Sequence, residues 1–317
     1  MEHPSPVDNA NTQALLNKII IEYFADKKRK RFWRWTIRII IAAFLMFISY
    51  SLLFMGHNDL IVRNNPHIGL IDIKGEIVDN HSGSAESFSK GMANAYGNNA
   101  LKAIIFRIDS PGGSPVQADY MYNLIHTYRQ KYPAIKTYAV CIDTCASAAY
   151  YVASAADEIY ANPSSLVGSI GVMYSGFGFV DTLNKLGVAR RLQTAGHNKG
   201  FMDPFSPVDS NQEKNLQTML DLIHQEFIDK VKAGRGNRLK IDDETFSGLI
   251  WTGLQAKERG LIDGFASSDQ LAHERIKIDQ LIDYTDKRSV FEQVAKNVGT
   301  AMANQLPLAL GMEQRIG

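Results

Sequence analysis

The chain has 317 residues, 45% apolar and 21% charged, which suits a packed globular body and excludes global disorder. The net charge of +1 hides an asymmetry: residues 1–38 hold eight Lys/Arg against four Asp/Glu, and the rest of the chain holds 26 against 29. The body is therefore slightly acidic, and nucleic acid is not an expected partner.

Residues 1–26 read as a short amphipathic helix with Leu15, Leu16, Ile19, Ile20, Tyr23 and Phe24 on its apolar side. A basic run, Lys27-Lys28-Arg29-Lys30-Arg31, leads through Trp33 and Trp35 into an apolar stretch over residues 36–55 in which Arg38 is the one charge. Twenty helical residues at ~1.5 Å each cover about 30 Å, the hydrocarbon thickness of a bilayer. This predicts one transmembrane anchor over 36–55. The positive flank keeps residues 1–35 in the cytoplasm, and the body lies outside, on the periplasmic side if the cell is bacterial. No small-residue cleavage site follows Phe54-Met55-Gly56-His57, so the anchor is expected to be retained.

After a linker over 56–65, the body is expected over 66–285, with a tail over 286–317. His67–Ile73 reads as a strand and Ala85–Tyr96 as a helix. Ala103–Asp109 is a buried strand ending at Ser110-Pro111-Gly112-Gly113, before a helix over 116–131. Thr137–Ile142 is a strand and Ala146–Ala156 a small-residue helix. Glu158–Ala161 and Gly168–Met173 are strands, 211–234 is a long amphipathic helix, and 243–263 is a helical region. Strands alternating with helices predict an α/β fold with a parallel sheet covered on both faces. Cys141 and Cys145 form no CxxC pair and read as small buried residues.

Three segments carry chemistry. Ser110-Pro111-Gly112-Gly113-Ser114 is a strand-to-helix turn whose free N–H groups suit an oxyanion; taken alone, it reads better as an ordinary turn. Thr144-Cys145-Ala146-Ser147-Ala148-Ala149-Tyr150-Tyr151 places a serine at the opening of an Ala-rich helix, as a nucleophile or as a simple N-cap, and there is no GxSxG elbow. Gly196-His197-Asn198-Lys199-Gly200 sets a lysine near Phe201, Met202 and Phe205. Desolvation there would lower its pKa and make it a base; otherwise it is a solvated surface lysine.

In this order the segments resemble the signal peptide peptidase A family, Ser/Lys-dyad peptidases of the ClpP/crotonase fold, over roughly residues 66–285. The resemblance implies Ser147 as nucleophile and Lys199 as general base. It implies that Ser169, in Gly168-Ser169-Ile170-Gly171-Val172, orients the lysine, and that the turn at 110–113 is the oxyanion hole, with N–H groups of Gly113 and Ala148. Trp251-Thr252-Gly253, Ala256 and Gly260-Leu261-Ile262-Asp263 are similar to the family's C-terminal signature. His197-Asn198 stands where the family has Lys-Tyr. The sheet edge at Gly168, Ile170, Gly171 and Val172 is expected to pair with an extended apolar substrate. The resemblance further implies remnant signal peptides as substrates, a homo-oligomer with an octamer as one candidate, and neither metal nor cofactor. A crotonase-type acyl-CoA enzyme and a non-catalytic membrane scaffold are the rival readings.

Overall fold

The computed structural model describes residue 18 and residues 27–47, 49–50, 64–79, 81 and 83–286. The chain divides into two compact units, Met1–Asn64 and Asn65–Gly317.

In the first unit, residues 27–47 are helical (α1) and their large apolar side chains are exposed, Phe32, Trp33, Ile40 and Phe47 among them. Among the described residues no helix is long and apolar enough to cross a membrane. Residues 48 and 51–55 of the expected anchor lie outside the described residues, as do most of the expected helix over 1–26 and the tail beyond 286.

The second unit is an α/β body. Its sheet runs β6-β5-β3-β2-β1-β8, and β4 pairs with β3 and with β7. The strands are β1 (His67–Lys74), β2 (Leu101–Ser110), β3 (Lys136–Ala146), β4 (Glu158–Ala161), β5 (Leu166–Gly168), β6 (Ile250–Thr252), β7 (Gly264–Phe265) and β8 (Leu281–Asp283). Every pairing is parallel except β5 with β6. A parallel sheet needs cover on both faces, and the sequence supplies it. In β2, Ile104, Phe106 and Ile108 enter one core with α2 (Ala85–Tyr96), α3 (Pro115–Lys131) and α4 (Ala148–Ala153). Ala103 and Ile105 enter a second core with Tyr138, Tyr160 and Leu271.

Strand β3 positions the site by changing partner along its length. Tyr138–Cys141 pair with β4, and Thr144–Ala146 pair with β5. Between these halves the register against β2 slips, from Ile108↔Cys141 to Ser110↔Cys145. Side chains hold the excursion: Asp109 accepts from the Thr144 N–H at 3.2 Å, and the Ser165 hydroxyl bonds the Ile142 carbonyl. The second half of β3 delivers the chain to Ser147 at the carboxyl end of the sheet, where open α/β sheets place ligands.

Three elements differ from the sequence expectation. The strand expected over Gly168–Met173 is β5, which ends at Gly168, because Gly168 (φ 104°) and Ser169 (φ 50°) both take positive φ and break the pleat. Helix α4 starts at Ala148 rather than 146, because Ser147 is non-helical (φ 54°, ψ −125°). The region 243–263 is not one helix. Gly248 turns the chain at φ 87°, β6 adds antiparallel to β5, and a capping box of Thr252 and Gln255 then opens α7 (Gly253–Glu258). Helix α5 (Val180–Lys185), helix α6 (Ser210–Arg235), α8 (Ser268–Gln270) and the parallel edge strand β8 complete the unit.

Candidate active site

Ser147 sits where β3 turns into α4. Positive φ at a non-glycine residue costs about 1–3 kcal/mol and persists only where surroundings over-determine it. Here they do. The Ser147 N–H donates to the Gly168 carbonyl at 2.8 Å, and its carbonyl accepts from Tyr151 at 3.0 Å. The six residues of α4 are all buried, and Ser147 itself is half-buried. Its side chain makes no capping bond, so the hydroxyl is not consumed by the helix as an N-cap would be. The backbone thus builds a sharp strand-to-helix turn around an available hydroxyl, although the flanking sequence is Ala-Ser-Ala rather than glycine on both sides.

The glycine turn closes on this serine. A Cβ on Gly112 would lie 2.8 Å from Ser147 Cβ and 3.1 Å from the Ala148 nitrogen, so only glycine permits the approach. Gly113 (φ 147°) is equally obligatory, since a Cβ there would lie 2.3 Å from the Ile77 carbonyl oxygen. The turn is tied to Ile77, whose N–H donates to the Gly112 carbonyl and whose carbonyl accepts from Ser114, both at 2.8 Å. Ser110 Oγ accepts the Gly112 N–H at 3.1 Å. What remains are the N–H groups of Gly113 and Ala148, which make no hydrogen bond among the described residues. Ala148 follows Ser147 in the chain, and Gly113 follows Gly112, which lies against Ser147.

Cys145 is two residues from Ser147 and is the more nucleophilic residue type. It is fully buried, and burial, with Cys141 beside it, pushes its thiol well above the ordinary range. It therefore stays a neutral, inert core residue. Both cysteines are free thiols.

Ser169 is half-buried, and its N–H donates to the Leu249 carbonyl at 2.8 Å. Trp251 supports the preceding Gly168: a Cβ there would lie 2.8 Å from the indole Cδ1. Arg259 lies 3.6 Å over that indole and pairs with Asp242 at 3.2 Å and Glu244 at 3.4 Å. In the expected substrate edge, Gly168, Ser169 and Ile170 have engaged carbonyls, taken by Ser147, Gly171 and His224. The Gly171 carbonyl and both main-chain groups of Val172 make no hydrogen bond among the described residues.

Lys199 is placed differently. It is exposed, and no hydrogen bond joins its amine to Ser147 or Ser169 among the described residues. The stretch that bears it, residues 171–209, exposes Met173, Tyr174, Phe177, Leu186, Val188 and Val208. It is nevertheless folded on itself. Phe179 stacks on Phe205 at 5.4 Å, and the Phe179 N–H donates to Pro204 at 2.7 Å. The Ser206 hydroxyl, with Arg190 nearby, holds the Asp203 carboxyl below its ordinary range. A cavity of about 410 Å³ opens here between Tyr174, Phe177, Leu192, His197, Met202 and Pro204. Neither Ser147 nor Ser169 lines it.

Sequence reading missed the clasp of Ile77 on the glycine turn, the Arg259–Trp251 stack behind Gly168, and His224 on Ile170. The first joins residues far apart in sequence; the second joins residues eight apart, and its signal was the isolated Trp251-Thr252-Gly253. Nothing marked His224.

A strained, half-buried serine hydroxyl beside two unengaged N–H groups belongs to the class of sites built for acyl transfer through a serine nucleophile. The comparisons with known proteins agree with that class. The model of peptidase family S49 matches residues 129–282. The chain is 26% identical over 249 residues to a putative signal peptide peptidase SppA of Enterococcus faecium, covering 74% of this chain and 71% of that one. It is 28% identical over 272 residues to a putative protease SohB of Buchnera aphidicola, covering 85% and 75%. Over 173 residues, 55% of this chain, it is 42% identical to proteins of Brucella melitensis and Brucella abortus named Na(+)/H(+) antiporter NhaA, but that match spans 23% of each of them. These matches support membership of peptidase family S49, the signal peptide peptidase A family.

Proposed function

We propose that the protein is a serine endopeptidase in which Ser147 is the nucleophile and Lys199 the general base. The observation that carries this is the Ser147 turn: a strained serine with an uncommitted hydroxyl, flanked by the N–H groups of Gly113 and Ala148.

In this reading a neutral Lys199 takes the proton from Ser147 Oγ as the oxygen attacks a peptide carbonyl. Gly113 and Ala148 donate to the oxyanion. Lys199 then gives its proton to the leaving amine, and water releases the acyl group from Ser147. A charged ammonium has no lone pair to take a proton, so the dyad needs Lys199 desolvated and neutral. The exposed apolar side chains of 171–209 suggest how: association of copies of this chain covers that stretch and takes Lys199 out of water. Ser169 then orients the amine.

The substrates proposed are extended apolar peptides, remnant signal peptides among them, entering beside Gly168–Val172. With residues 36–55 as an anchor, the body works at the outer face of the cytoplasmic membrane.

The test is release of a fluorogenic or casein-derived peptide by the purified full-length protein, beside Ser147→Ala and Lys199→Ala. Both variants are expected to be inactive. Equal rates in all three would refute the dyad.

A further inference from the structure

Helix α6 buries one stripe of its second half against the body. Phe227 packs on Tyr151 of α4 at 5.0 Å between ring centroids, and Val231 is fully buried. Gly234 lies so close to α4 that a Cβ would fall within 1.9 Å of the Ser154 carbonyl oxygen. Positions 224, 227, 231 and 234 share this stripe by their three- and four-residue spacing. The first of them is His224, half-buried, with Nε2 at 3.0 Å from the Ile170 carbonyl oxygen. A carbonyl only accepts, so Nε2 carries the proton and His224 donates.

This bond falls on the turn that carries Ser169. Gly168 and Ser169 are consecutive residues with positive φ, 104° and 50°. Such a pair holds its shape only if several contacts agree on it. Ser147 N–H binds the Gly168 carbonyl at 2.8 Å, Ser169 N–H binds Leu249 at 2.8 Å, and Gly171 N–H binds the Ser169 carbonyl at 2.9 Å. These three are main-chain bonds. His224 adds a side-chain bond from α6. One helix therefore touches both the helix that Ser147 opens and the turn that presents Ser169.

We propose that His224 is a positioning residue: by holding the Ile170 carbonyl it fixes the 168–171 turn, and with it the Ser169 hydroxyl and the Gly168 carbonyl that receives the Ser147 N–H. The inference rests on the Ser147 reading above. It adds a residue whose effect passes through the turn rather than through contact with substrate. Loss of the bond lets the turn relax, which misplaces the group that orients the base and slows the chemical step more than it weakens binding.

The experiment measures kcat and KM on a fluorogenic peptide, with melting temperature, for full-length wild type, Ser147→Ala, His224→Leu and His224→Gln. His224→Leu is expected to lower kcat about tenfold with KM changed less than about twofold. Its melting temperature should match that of wild type. His224→Gln, whose amide can donate to the same carbonyl, should recover most of the lost rate. Wild-type kcat in His224→Leu, a change confined to KM, a loss that follows melting temperature, or a Gln variant as impaired as Leu would each overturn the inference. Ser147→Ala separates the two claims. If it is inactive while His224→Leu is fully active, the positioning role alone fails; if it turns over like wild type, the Ser147 reading fails and this inference with it.

Discussion

Two stretches of the body meet solvent in opposite ways. From Leu101 to Ala161 the chain alternates strand and helix, with fully buried Ile104, Phe106, Ile108, Ala149 and Tyr150, and ends each strand on the same edge. From residue 171 to 209 it leaves the sheet, stacks a few aromatic rings on one another and exposes the rest. The first stretch holds the proposed nucleophile in a fixed, strained turn. The second holds the proposed base on a surface that water still covers. On the proposed reading, one half of the site is built by folding and the other is completed by association.

The sharpest break in that comparison comes from Ser147 itself. Ser147→Gly should abolish peptide release, yet raise stability by up to about 1 kcal/mol, because glycine adopts positive φ without the steric cost. Peptide hydrolysis and chemical denaturation, measured on the same preparation, check both halves. Gly113→Ala should come next. Its Cβ would lie 2.3 Å from the Ile77 carbonyl oxygen, so the turn must move and the proposed oxyanion donor with it. Activity should fall about 10²–10³-fold. In the exposed stretch, Phe177→Glu alters a side chain that is 80% exposed, so the fold of each copy, read by circular dichroism, should hold. Particle mass by light scattering and peptide release should both fall, because the cover for Lys199 is lost.

A smaller effect separates the packed body from its surface through pH. Burial alone would raise the Asp263 carboxyl, but hydrogen bonds and charge from Arg235, with the Ile159 N–H, outweigh it and hold the group below the ordinary value. Its stabilising effect is therefore present above about pH 4, the unfolded value, and is lost as pH falls through the folded one. Melting temperature should decline below that pH. Arg235→Met, which leaves Asp263 without its buried partner, should destabilise by about 3–5 kcal/mol at neutral pH and flatten the acid decline. The smallest effect belongs to Gly178→Ala in the exposed stretch. No atom lies within 4 Å of the added carbon, so stability and activity should both stay at wild-type level.

The α/β plan was legible because β1 to β4 are short apolar runs bounded by polar turns, and helix α2 matches its expected limits. The Gly112-Gly113 segment was legible as a strand-to-helix turn, while its reading as an oxyanion hole came only from the resemblance. What the sequence hid was set by tertiary contact. The partner change of β3 depends on Asp109 and Ser165, which lie on other elements. The end of β5 at Gly168 depends on positive φ at Ser169, which serine rarely adopts and no pattern predicts. Lys199 stood out as a base only through the resemblance; its loop read alone already allowed the solvated lysine that the structure shows, because burial of a loop depends on what packs over it.

The most direct measurement is reaction of the full-length protein with a fluorophosphonate, followed by mass mapping of the modified peptide. The account predicts one adduct, on Ser147, formed quickly by wild type and very slowly by Lys199→Ala. An adduct on another serine, or peptide release that continues undiminished with Ser147 fully modified, would contradict it.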